Sequence, residues 1–203
     1  KEIVYSDYPL LKNNIVVSLI KEELFQLMLQ KTLITDHLLE KLLTKIRKEI
    51  LFASVGSQHN SLDEIFEFVV SFSEQCFLNE YIYTEEKKEV KLLSKLKKSL
   101  KFSKNINELK IAVLGCYLPL NLIKGAVAKL TKYKSKNTLF NDLILMQIQE
   151  PLLEKKISNS IKSLGKISDI TSQKVKKQYE QNPYPRWRYT YLNLPNNLLN
   201  IVN

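Results

Sequence analysis

The chain has 203 residues, 44% hydrophobic and 26% charged, with a formal net charge of +10. That is enough for one sizeable core or two small ones, and the 4 Gly and 6 Pro leave little punctuation for a many-stranded sheet. No apolar run approaches the roughly 20 residues that cross a bilayer, and no secretory signal pattern is present. The reading is therefore an all-α, soluble, cytoplasmic protein: an irregular multi-helix bundle of seven to nine helices with an extended C-terminal arm.

In chain order, Val16, Leu19, Ile20, Leu24, Leu27 and Met28 repeat at three and four from Asn14, which predicts a first helix ending near Thr32. Thr35 or Asp36 caps the second, with a stripe of Leu38, Leu39, Leu42, Leu43, Ile46, Ile50 and Leu51 that stops at Gly56. "SLDE" reads as a capping box, Ser61 at the N-cap and Glu64 three residues on. The helix that follows, about 62–80, carries Leu62, Ile65, Phe66, Val69, Val70, Phe72, Cys76 and Phe77 over more than one face, and so belongs at the centre.

Thr84 is the expected cap of "EEKKEVKLLSKLKKSLKF", with Val90, Leu93, Leu96 and Leu100 inward. Lys87, Lys88, Lys91, Lys95, Lys98 and Lys101 form its cationic surface, a solvated face or a contact for phosphate or membrane. Asn105 or Asn107 opens the next helix, with Leu109, Ile111, Ala112, Leu114 and Cys116. Pro119 ends it and starts another, which Gly125 loosens. "LFNDLILMQIQEPLLEKKISNSI" reads as an interrupted pair of helices pivoting at Pro151, and Thr171 to Gln181 as the last helix, ended because Asn182 precedes a proline.

The inventory of chemical groups is thin. His37 and His59 are the only histidines, and neither has neighbours suggesting a metal set or a base for a nucleophile. Cys76 and Cys116 read as small core residues in a reducing compartment. The pairs Glu22/Glu23, Asp63/Glu64 and Glu85/Glu86 read as helix-start or solvent charges, and no dinucleotide fingerprint, phosphate loop or zinc-protease motif occurs. Catalytic, cofactor-binding and metal residues are expected to be none. Of the 31 basic residues only Arg47, Arg186 and Arg188 are arginine. The excess of Lys, Ile and Asn resembles the amino-acid bias of an AT-rich genome. Base readout favours the guanidinium fork, which argues against specific nucleic-acid binding.

The distinctive stretch is "YEQNPYPRWRY", 179–189, with two prolines and the one Trp. Pro183 and Pro185 fix φ and extend Asn182 and Tyr184, so Asn182, Pro183, Tyr184, Pro185, Arg186 and Trp187 form a stiff docking arm. The division expected is a helical domain over 1–181 and an arm or linker over 182–203.

"QYEQNPYPRW" resembles the "QYEENPYPRW"-type segment just upstream of the class I S-adenosylmethionine-dependent methyltransferase domain in a family of bacterial proteins, many with tetratricopeptide repeats. "LLEKLLTKIRKEIL" at 38–51 and "QCFLNEYIYTEEKKE" at 75–89 look like other parts of the same upstream helical region, so the resemblance spans roughly residues 25–190. It implies a non-catalytic helical region acting as cap, support or recruiting surface for a methyltransferase domain. S-adenosylmethionine would then belong to a downstream domain, because the family's glycine-rich loop does not occur before Asn203. The partner implied is that downstream domain or another protein. No tetratricopeptide consensus is visible, and the start at Lys1 with the finish at Asn203 suggests a longer parent. The alternative is a stand-alone adaptor that binds a protein or acidic partner through its lysine-rich face.

Overall fold

The structure, a computed structural model, describes residues 9–56, 60–102, 105–123, 125–162, 165 and 168–181. These are helical with no strand among the described residues. Among the described residues, nine α-helices run seven residues or longer, the top of the expected range. The chain separates into two compact units, Lys1–Ser160 and Ile161–Asn203.

The first unit opens with a 3-10 turn, Leu10–Lys12, whose Leu10 and Leu11 amides donate to the two Glu49 carboxylate oxygens at 2.8 and 2.9 Å. Helix α1 (Asn14–Lys21) is capped by Asn13, and α2 (Glu23–Lys31) follows after a break at Glu22, which is extended with ψ 122°. The single first helix expected from the spacing is thus two helices. The break rotates the pattern, so Phe25 and Leu29 are buried while Leu24 is 78% exposed. Apolar spacing alone does not register one extended residue that resets the phase.

Helix α3 (His37–Val55) begins as expected, with Asp36 Oδ1 accepting from the Leu39 amide at 2.8 Å. It buries Leu42, Leu43, Ile46, Ile50 and Leu51. A single turn, α4 (Asn60–Asp63), then precedes α5 (Phe66–Leu78). The expected capping box is not formed. Ser61 lies inside α4, α5 starts after Ile65 with no side-chain cap, and the Glu64 carboxylate instead pairs with Lys21 at 2.9 Å.

The central placing of α5 holds. Every residue from Phe68 to Phe77 is buried, and the helix packs against α2, against α7 (Glu108–Gly115) and against α9 (Thr138–Ile144). Phe68 stacks near Phe25 and meets Phe72, which in turn meets Tyr83. Several polar side chains of α5 serve neighbouring elements. Gln30 donates to Ser71 Oγ at 2.8 Å, while Gln75 donates to Leu29 O and Thr32 O at the end of α2 and accepts from the Ile34 amide. Gln75 thereby occupies carbonyls that a helix end leaves unpaired.

Helix α6 (Lys87–Phe102) packs on α3 and α7 through Leu93 and Leu96, as its spacing predicts, although Val90 is 49% exposed. Thr84 is not its cap: the helix starts three residues later, where Glu89 Oε2 accepts from the Glu86 amide at 2.7 Å. Asn107 caps α7 by accepting from the Lys110 amide at 2.8 Å. Beyond Pro119 come a 3-10 turn, Leu120–Leu122, a positive φ of 89° at Gly125, and the short α8 (Val127–Leu130).

The pair expected to pivot at Pro151 is instead one uninterrupted helical path: α9, a π-helical stretch Leu145–Gln149, and α10 (Glu150–Ser158). Pro151 has no N–H and its ring presses on the carbonyl four residues back, that of Gln147. A local widening into π geometry accommodates this. In the second unit, α11 (Ile170–Gln181) is opened by Asp169, whose Oδ2 accepts from the Ser172 amide at 2.7 Å.

Candidate functional site

Besides the contacts of Gln30, Ser71 and Gln75, two polar centres lie in the described interior of the first unit. The first is Arg47, on the buried side of α3 and only 1% exposed. Leu43, Ile50 and Leu51 lie four, three and four residues from it and fix its direction, because positions three and four apart share a face. Its Nη2 donates to Thr84 O at 2.7 Å and Tyr83 O at 3.2 Å, and its Nη1 to Cys116 O at 3.4 Å. The guanidinium lies 4.1 Å from the Tyr117 ring centroid and 5.6 Å from that of Tyr83.

Tyr117 closes the circle, donating to Glu89 Oε1 at 2.7 Å and lying 3.2 Å from Arg47 O. Glu89, buried at the start of α6, is thus shared between that helix's first turn and the tyrosine. One cation and one carboxylate tie α3, α6, α7 and the 83–84 segment together. The Cys116 carbonyl ends α7, so the guanidinium also meets the negative end of a helix dipole.

Burial pushes both phenols well above their usual range, Tyr117 further through its bond to Glu89, although Arg47 pulls each the other way. Both tyrosines are therefore neutral at ordinary pH, Tyr117 as a hydrogen-bond donor and both as ring surfaces for the guanidinium.

The second centre is Gln147, fully buried in the π stretch. Its Nε2 donates to Ser73 O at 2.9 Å, Ser73 Oγ at 3.2 Å and Gly115 O at 3.3 Å. Its Oε1 accepts from the Leu120 amide at 3.3 Å and the Tyr81 hydroxyl at 3.4 Å. The bulge places one amide side chain where α5, the end of α7 and the turn after Pro119 all leave polar groups to be paired. A Cβ on Gly115 would lie 2.1 Å from Ser73 Oγ, so α5 and α7 approach at a glycine–serine contact.

Cys76 and Cys116 are both free and buried, as expected of core residues. The fold also brings them together, which their separation in sequence does not indicate. Burial, with the neighbouring Cys116 thiol, pushes the Cys76 thiol up, the direction of an unreactive group. Cys116 donates to Ala112 O at 3.4 Å and Val69 O at 3.7 Å.

Of the surface features, an open groove of about 410 Å³ is lined by Asp63, Phe66, Ile106, Asn107, Glu108 and Leu109. Beside it Tyr133 donates to Glu108 at 2.6 Å, which raises the phenol's pKa. His37 is the exposed first residue of α3. His59 and the whole arm, Asn182, Pro183, Tyr184, Pro185, Arg186 and Trp187, lie outside the described residues. Among the described residues no group of three or more His, Cys, Asp or Glu could hold a metal ion, and no helix is long and apolar enough to cross a membrane.

Reasoning from sequence missed Arg47 and Gln147 as centres. The available signal was a lone arginine inside an apolar stripe among 28 lysines, and a glutamine four residues before a proline. Comparison with protein-family models, with curated proteins and with solved structures finds no match for the chain.

Proposed function

We propose that the chain is a non-catalytic helical module that precedes and supports an S-adenosylmethionine-dependent methyltransferase domain, as a cap or as a surface that recruits the methyl acceptor. The observation that carries this reading is the segment "QYEQNPYPRW", 178–187, which begins within α11 and resembles the upstream arm of that methyltransferase family. Two features support it. Val175 and Tyr179, four apart on α11, are exposed, and a helix with an apolar pair on its surface suits packing against a further domain. Within the first unit, the buried Arg47 and Gln147 side chains join helices through hydrogen bonds, which suits a rigid support. The chemistry, and S-adenosylmethionine with it, would belong to the domain that follows.

The test is the reading frame beyond Asn203. It should encode a strand, a glycine-rich turn and a helix. The domain expressed without residues 1–181 should bind S-adenosylmethionine yet lose turnover of its acceptor. A stop codon directly after Asn203, or full turnover without the helical region, would overturn the reading.

A further inference from the structure

Helix α6 presents six exposed lysines: Lys87, Lys88, Lys91, Lys95, Lys97 and Lys98. At 3.6 residues per turn, all but Lys97 fall within an arc of about 100°, opposite the buried Leu93 and Leu96. No carboxylate among the described residues pairs with any of them. At the helix start Glu86 is taken by Lys48, Glu89 is buried against Tyr117, and Glu85 is the one exposed acid without an ion-pair partner there. Isolated surface lysines are unremarkable, but five on one side of a 16-residue helix repel one another, and no carboxylate among the described residues is paired with them.

The shape of the face selects among anionic partners. It is convex, and among its described side chains it has no arginine and no aromatic ring, the groups that anchor protein interfaces, read bases or stack on single strands. Its lysines are flexible point charges. On the flank of the arc lies Val90, half exposed, and Ile82 is exposed just before the helix. An anionic bilayer asks for this combination: charge without directional recognition, and a few apolar side chains able to enter the headgroup region.

We infer that the lysine face of α6 is a docking surface for an anionic lipid bilayer, against which the protein adsorbs without insertion of a helix. The buried stripe of α6 stays in the core, and the net charge of +10 steers the molecule toward the surface.

The experiment is co-sedimentation of the 203-residue chain with vesicles of phosphatidylcholine containing about one quarter phosphatidylserine, against vesicles of phosphatidylcholine alone. Binding should require phosphatidylserine and fall away between about 0.1 and 1 M salt, as the Debye length shrinks from about 10 to 3 Å. Each lysine near such a surface strengthens binding roughly fivefold. Lys87→Gln, Lys91→Gln, Lys95→Gln and Lys98→Gln together should therefore weaken it by more than about tenfold while leaving the helical circular dichroism unchanged. The same loss of charge at Lys132, Lys134, Lys136 and Lys155 should weaken it far less. Equal weakening by both sets, binding that ignores phosphatidylserine, or competition by duplex DNA at lower phosphate concentration than the vesicles would overturn the assignment.

Discussion

At the scale of single residues, Arg47 is a buried side chain that links the end of α7 and the 83–84 segment to α3. It gives its donors to three backbone carbonyls and its flat face to Tyr117. Replacing it by an apolar chain leaves those carbonyls without their donors and the Tyr117 ring without its cation. Arg47→Met should therefore cost about 3 kcal/mol in urea unfolding. Arg47→Lys should recover less than half of that, because a single ammonium cannot span the carbonyls of Thr84 and Cys116 as a fork does. An Arg47→Met variant as stable as the parent would show that the contacts carry no net stability. The sequence marks Arg47 only as a rarity; that it sits inside a stripe of Leu and Ile is visible, but its acceptors come from segments 36 to 69 residues away.

At the scale of elements, caps and core stripes were legible where the signal is local. Asp36, Asn107 and the buried run of α5 lie where spacing and capping chemistry put them. Two of the missed caps coincide with a distant partner. Glu64 leaves its capping role for Lys21, and Thr84 gives its carbonyl to Arg47 while α6 starts later on Glu86 and Glu89. The path through Pro151 continues because a π stretch absorbs the proline and Gln147 gains partners on α5 and α7 by it.

The crossing of α5 and α7 offers a direct check. In Gly115→Ala the new methyl would force Ser73 Oγ away from its position and from Gln147, a cost of about 1 to 3 kcal/mol. Adding Ser73→Ala removes the colliding oxygen, so the double variant should be more stable than the sum of the two single losses implies. Strict additivity in chemical unfolding would place the two residues out of contact.

At the scale of the whole molecule, the interior sets a limit on the alkaline side. Tyr83 and Tyr117 have folded pKa values raised above the model-phenol value of 10.0, mainly by burial. Below pH 10 both states keep the phenolic protons and this contribution is fully present. Above it the unfolded chain releases protons that the folded chain retains, so stability falls as pH rises. Unfolding midpoints measured from pH 8 to 11.5 should drop beyond about pH 10, and Tyr117→Phe should make the drop shallower although it lowers stability at pH 8 by removing the bond to Glu89. A flat profile to pH 11.5 would contradict the burial of both rings.

All-α architecture and the central helix were readable from composition and periodicity, whereas the two polar centres were not, since both are made of contacts between helices far apart in sequence. The arm at 182–187, the most distinctive part of the sequence, bears on function through resemblance. The most direct test is calorimetric titration of S-adenosylmethionine into the 203-residue chain. A class I site needs backbone amides at a glycine turn and a helix N-terminus, with a carboxylate for the ribose. The account predicts no heat above dilution at micromolar protein, and a stoichiometric micromolar complex would contradict it.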